Sequence, residues 1–284
     1  MKKMSRIMAL ALALMCMSAA ALADFDAGKL INVISREEGS GTRSAFVELT
    51  GVEQKMGDKK VDMTTEDAQI TNNTAVMLTT VAGDSYAIGY VSLGSMNESV
   101  KAVSVEGVEA TAENVANGSY KIARPFNIAY RDDAITDLGK DFIAYVMSAE
   151  GQAIVADNGY VDFQAADAYA GSKPQGKLVI AGSSSVSPVM EKLAEAYQAL
   201  NPDAQIEIQT SDSTTGMTAA MDGGCEIGMA SRALKEAEAA QLASVTIAMD
   251  GIAVIVNLEN PAGDLSVEQI GAIYTGDVMS WDEI

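Results

Sequence analysis

One junction constrains this chain more than any other feature: a short apolar run, then a turn of glycine and hydroxyl residues, then a helix start. It is clearest at Arg36-Glu37-Glu38-Gly39-Ser40-Gly41-Thr42-Arg43, which follows the apolar residues 30–34 and precedes Ser44-Ala45-Phe46-Val47-Glu48-Leu49. The apolar run reads as a buried strand and the following segment as a helix. A turn between them leaves amide N–H groups without intrahelical acceptors, and the helix dipole adds partial positive charge there. Such an end suits a small oxyanion. Gly39 and Gly41 let the backbone approach a ligand with no Cβ in the way. Arg36 adds a permanently charged, bidentate fork. Each hydroxyl taken alone also fits an ordinary N-cap, worth about 1 kcal/mol.

The device recurs. Gly182-Ser183-Ser184-Ser185-Val186-Ser187 follows the strand-like residues 177–181, with Pro188 where a helix N1 proline belongs. Ser213-Thr214-Thr215-Gly216 follows a strand-like run at 205–209 and opens a short helix at 217–221, and Ser231-Arg232 follows a run at 226–230. Strands at 87–91 and 254–257, and a helix at 75–81 opened by Asn72-Asn73-Thr74, continue the alternation. Residues 138–155 read as one amphipathic helix with Phe142, Tyr145 and Val146 on a single face. Alternating elements imply an α/β fold with mostly parallel sheets flanked by helices, and the length suggests two lobes. In doubly wound sheets ligands lie beyond the carboxyl ends of the strands. Junctions from two lobes can then close over one small anion, whose lost hydration demands many donors.

Other side chains read more plainly. Arg43 can touch the anion or pair with a local acid such as Glu37 or Glu38, and the pair is the favoured reading. Asn73 can donate to a ligand or cap its helix, and the cap is favoured. Tyr274 and Trp281 read as packing residues. Glu37 and Glu38 are adjacent and point apart, which makes a poor catalytic pair.

Composition removes several function classes. The 284 residues include no histidine, so the commonest general base, metal ligand and nucleophile partner are absent. No paired-cysteine zinc spacing exists, and no cofactor is expected. The net charge of −20 argues against nucleic acid and anionic membrane surfaces as partners. Residues 1–23 read as a signal peptide: Lys2, Lys3 and Arg6, an apolar core at 7–17, and Ala21-Leu22-Ala23 as cleavage site. The expected product is extracytoplasmic, starts near Asp24 and keeps one cysteine, Cys225, so it has no internal disulfide.

With these residues in view, the chain resembles the phosphate-binding component of high-affinity phosphate ABC transporters, a type II periplasmic-binding-protein family. The matching stretches are residues 36–43 (REEGSGTR), 87–94 (AIGYVSLG), 182–188 (GSSSVSP), 227–234 (IGMASRAL) and 265–281 (LSVEQIGAIYTGDVMSW). The resemblance implies a two-lobed fold with a ligand cleft between the lobes. It implies capture of inorganic phosphate, delivery to permease subunits, contact with the membrane only through the permease, and no enzymatic activity. It assigns Arg36, Ser40, Gly41 and Thr42 to the anion loop of one lobe. Ser184, Ser185 and Val186 fall in the first loop of the other lobe, and Thr214 in the next. Ser231 stands where many members place an aspartate that accepts a proton from the bound phosphate.

Segment order also departs from the family. There the GSSSVSP-type segment precedes the REEGSGTR-type segment, so this chain reads as circularly permuted. The implied lobes are residues 24–128 with 254–284, and 129–253 including a linker at 165–176. A monomer is expected, with a swapped dimer as the alternative if the C-terminal segment does not pack near residues 31–34. Rival functions are a binder of another tetrahedral oxyanion such as sulfate, a secreted phosphoester hydrolase, and a phosphate sensor or adhesion module.

Overall fold

The computed structural model describes residues 25–57, 59–162 and 167–284. The expected leader and its cleavage site, and residues 165 and 166 of the expected linker, lie outside these. Strands and helices alternate along the chain: β1 (Asn32–Arg36), α1 (Gly41–Leu49), β2 (Glu53–Met56), β3 (Lys59–Asp62), β4 (Gln69–Thr71), α2 (Thr74–Ala82), β5 (Ala87–Ser92), β6 (Val100–Ala102), β7 (Ser104–Val105), α3 (Ala112–Ala116) and β8 (Ala123–Tyr130). They continue with α4 (Asp137–Val146), α5 (Ala149–Asp157), β9 (Gly176–Ser183), α6 (Ser187–Leu200), β10 (Ala204–Ser211), α7 (Ser213–Asp222), β11 (Ile227–Ala230), α8 (Glu236–Ala239), β12 (Ala243–Asn257), β13 (Asp264–Leu265) and α9 (Val267–Thr275).

The main sheet runs β10-β9-β11-β8-β12-β5-β1-β4, with β6 added beside β12. Each wing is parallel, β4-β1-β5 at one end and β10-β9-β11 at the other. The middle is antiparallel, because β12 first pairs with β8 and then with β5. The sheet is therefore mixed, and the parallel pattern expected from the sequence holds in the wings. Residues 250–257 of β12 are buried without interruption, as a strand covered on both faces requires.

Two hydrophobic cores lie on either side of this middle. In one half Phe46 stacks on Tyr90 at 4.0 Å with Tyr274 edge-on to Phe46, surrounded by Val33, Val254 and Ile273. In the other Phe126, Phe142, Leu193 and Tyr197 form the centre. The chain passes from one core to the other between Ile122 and Phe126 on the way out and between Ala248 and Ile252 on the way back.

The single helix expected over 138–155 is two helices. The Ser148 hydroxyl accepts the Gly151 amide and starts α5 afresh. Both helices bury apolar residues on the same side, so the periodicity carries across the break. The C-terminal segment lies beside β1 of its own chain: the Ile31 amide donates to the Met279 carbonyl, the Asp282 amide to the Ala27 carbonyl, and Trp281 Nε1 to the Tyr86 carbonyl.

Candidate anion-binding site

Arg36 ends β1 and is 2 % exposed. Its Nε and Nη2 grip the Glu37 carboxylate, both at 2.7 Å. Nη2 also donates to Ser184 Oγ at 3.1 Å, and Nη1 to Thr74 Oγ1 at 3.5 Å. The expected Arg43 partner was Glu37 or Glu38. Arg43 instead binds Asp62 of the β2–β3 hairpin at 2.7 Å and donates to the Arg36 carbonyl at 2.7 Å. The cause is geometry: Arg43 sits in the first turn of α1 facing the hairpin, while Glu37 folds back along its neighbour.

Ser40 is the N-cap of α1, and its hydroxyl accepts the Arg43 amide at 3.3 Å. Behind that cap the Gly41 and Thr42 amides open the helix without intrahelical acceptors. Asn73 caps α2 by accepting the Val76 amide at 2.9 Å, as expected.

The second half meets this loop directly. Thr42 Oγ1 lies 2.8 Å from Ser185 Oγ. Thr74, the first residue of α2, brings its hydroxyl within 3.3 Å of Ser184 Oγ and 3.4 Å of Ser185 Oγ. Ser183 Oγ donates to Ser231 Oγ at 2.9 Å, and the Ser231 amide donates to Ser213 Oγ at 3.1 Å. A Cβ on Gly41 would stand 2.3 Å from Ser213 Oγ and 2.8 Å from Ser231 Oγ. Glycine is required there by close approach between the halves, since any side chain would wedge them apart. Arg36, Ser40, Thr42, Ser185, Ser213 and Ser231 are each at most 2 % exposed.

Two expected site residues play other parts. The Val186 amide closes the turn onto the Ser183 carbonyl at 3.0 Å, and its side chain belongs to the core. Thr214 bridges the halves at the rim, donating from its amide and its hydroxyl to the Gly39 carbonyl at 3.2 and 3.1 Å. Thr74, Ser183 and Ser213 complete the cluster; Ser183 and Ser213 belong to junctions read from the sequence as hydroxyl-rich, and Thr74 to a helix start, but none of the three is among the expected site residues. Ser213 lies one residue before the expected Thr214, and Thr74 sits beside a cap that was read correctly.

One guanidinium, two helix-start amides and a set of rotatable hydroxyls thus converge from both halves. Hydroxyls can donate or accept as the ligand requires. The nearest carboxylate, Glu37, is engaged by Arg36 on both oxygens. A groove of about 910 Å³ leads outward from Thr74 and Ser184 between α2 and α6. Among the described residues no group of histidine, cysteine, aspartate or glutamate could hold a metal ion, and no helix is long and apolar enough to cross a membrane.

The chain matches the model of the PBP superfamily domain over residues 17–150 and 167–283. The chain belongs to that superfamily, among its PstS proteins. It is 52% identical over 256 residues to the phosphate-binding protein PstS 2 of Streptococcus agalactiae, covering 89% of this chain and 87% of that one. It is 43% identical over 270 residues to PstS 2 of Streptococcus pneumoniae, covering 95% and 92%. A crystal structure of a phosphate-binding protein of a phosphate ABC transporter from Streptococcus pneumoniae superposes with a TM-score of 0.72 at 44% identity, over 90% of this chain and 99% of that one. The two-lobed α/β expectation agrees with that fold.

Proposed function

We propose that this PstS-family chain captures inorganic phosphate between its two halves and delivers it to the permease of an ABC transporter outside the cytoplasm. The observation that carries this reading is the convergence, at one buried point, of Arg36, the starts of α1, α2 and α7, and hydroxyls at the carboxyl ends of β9 and β11. A dehydrated oxyanion loses its water shell, and only a dense set of donors offsets that loss. The Gly41 and Thr42 amides and the helix dipole face one side of the anion. Thr42, Thr74, Ser184, Ser185, Ser213 and Ser231 supply hydroxyls that turn from contacts with one another to contacts with the anion. Binding closes the halves, and Thr214 on the Gly39 carbonyl holds the rim. Nothing in this sequence of events makes or breaks a covalent bond.

Equilibrium dialysis of phosphate-stripped protein against labelled phosphate tests the reading. Saturation at one phosphate per chain is expected, and no retention of phosphate would sink it. A second reading, a receptor for sulfate-like anions, rests on Ser231 and on the double engagement of Glu37. Together they leave the cluster without a free carboxylate to take a proton from the ligand. If that reading holds, sulfate at equal concentration displaces the label as well as unlabelled phosphate does.

A further inference from the structure

Behind the anion cluster, at the place where the chain crosses between the halves, lies a buried ion pair whose side chains are not among the cluster's hydroxyls and guanidinium. Arg124 near the start of β8 and Asp250 of β12 face each other in register across the antiparallel ladder. Their side chains are 2 % and 0 % exposed. Arg124 donates to Asp250 Oδ2 from Nη2 at 3.0 Å and from Nε at 3.3 Å. The remaining guanidinium nitrogen, Nη1, donates at 3.0 Å to the carbonyl of Ser231. The other carboxylate oxygen of Asp250 accepts Ser92 Oγ at 2.9 Å. Ser92 ends β5 in one half, and Ser231 follows β11 in the other. A single chain of hydrogen bonds thus runs from the first half, through both crossing strands, to a residue of the anion cluster.

We propose that Arg124 and Asp250 are positioning residues for the anion: their pair, tied to one half through Ser92 and to the other through the Ser231 carbonyl, sets the closed geometry in which the cluster grips phosphate. The proposal rests on the phosphate reading and adds a control point that lies outside the ligand contacts. A buried pair adds little net stability, yet misplacing either partner strands a charge, so a pair bridging two bodies resists their misplacement. Here the geometry specified is that of the two strands on which closure turns. The same guanidinium lies 5.3 Å from the centre of the Phe126 ring, which restricts its freedom further.

The pair also couples the cluster to pH. Burial pushes the Asp250 carboxyl up to about 6, against the pull of Arg124 and the hydrogen bonds from Ser92 and the Leu93 amide. The groups facing Asp250 from neighbouring elements are Arg124, Ser92, Tyr160 and Tyr120. Burial raises both tyrosines, Tyr160 to about 12, so both stay neutral through the range in which Asp250 titrates. Arg36 acts on the pair only at a distance, through the charge it shares with Arg124. Asp250 is the one member that changes charge between mildly acidic and neutral solution. The grip requires it ionised and weakens as pH falls through its folded value.

Phosphate titration of the intact protein and of Asp250→Asn between about pH 5 and pH 8 tests the proposal, because the protonation of phosphate itself cancels in their ratio. At pH 8 the variant is expected to bind about 10-fold more weakly. At pH 5 the ratio should approach one, because wild-type Asp250 is then neutral as well. A ratio of one at pH 8 overturns the proposal, and so does a ratio that stays constant with pH, the mark of a merely structural role. Should Asp250→Asn fail to fold, Ser92→Ala keeps the ion pair and cuts only its tie to the first half. About threefold weaker binding is expected from that variant, and an unchanged Kd overturns the proposal. Wild type that binds no phosphate sinks the phosphate reading itself. Wild type that binds, with variants that match it, sinks only the positioning role.

Discussion

The two halves bring different chemistry to the same point. The first half supplies the charge: Arg36 and the open end of α1. The second supplies hydroxyls from Ser184, Ser185, Ser213 and Ser231, and its own buried arginines are neutralised in place. Arg232 is held by Glu238 at 2.7 and 2.8 Å, with both partners almost fully buried. Arg124 is held by Asp250. The counterion of Arg36 is different, for Glu37 is 21 % exposed and partly solvated. The Arg36 guanidinium is buried at the cluster while its counterion reaches solvent, unlike the enclosed pairs of the second half. A chain with a net charge of −20 can therefore hold an anion through one local cation and a set of dipoles. In the proposed site the cation and the open helix end come from the first half alone, while hydroxyls come from both halves, Thr42 and Thr74 from the first and Ser184, Ser185, Ser213 and Ser231 from the second.

This division can be broken one half at a time. The largest loss should follow Arg36→Ala, which leaves Glu37 facing the anion unopposed. Phosphate affinity should fall about 100-fold or more, and the thermal midpoint of the phosphate-free protein should fall too because a buried side chain is lost, so titration of protein still folded at the working temperature reads the binding effect. Gly41→Ala comes next. Its Cβ would collide with Ser213 Oγ and Ser231 Oγ, so the halves cannot close, and affinity should drop about 30-fold with the folded state intact. Small-angle scattering with phosphate present should then show the expanded form. Thr42→Val removes one hydroxyl of the proposed anion cluster and should weaken binding about 10-fold, mainly in the dissociation rate. Thr214→Val, at the rim, should have the smallest effect, about threefold faster release in stopped-flow displacement. Equal effects of Thr42→Val and Thr214→Val would mean that rim closure matters as much as contact with the anion.

How much of this was legible in the sequence follows from what is local. The 36–43 loop, the GSSSVSP turn and the Asn73 cap were readable because a strand, a turn and a helix start are written in neighbouring residues. Ser213 against Thr214 was not, because helix phase and contact across the cleft decide which hydroxyl faces inward. Thr74 was read as part of a helix start but not as a cluster residue, because β4, three residues long and largely exposed, gives no apolar run to mark a strand-to-helix junction there. The Arg43 partner, Asp62, sits on a charged hairpin that carries no strand pattern. The break at Ser148 was masked by a shared buried face, and the 15 residues of β12 by a change of partner from β8 to β5 midway.

The central claim is that charge from one half and hydroxyls from both form a single phosphate site. Isothermal titration of the phosphate-stripped protein and of Arg36→Ala with phosphate tests it most directly. One phosphate per chain in the wild type, with affinity about 100-fold lower in the variant, is the predicted result. Binding that survives Arg36→Ala unchanged, or no binding by the wild type, would contradict it.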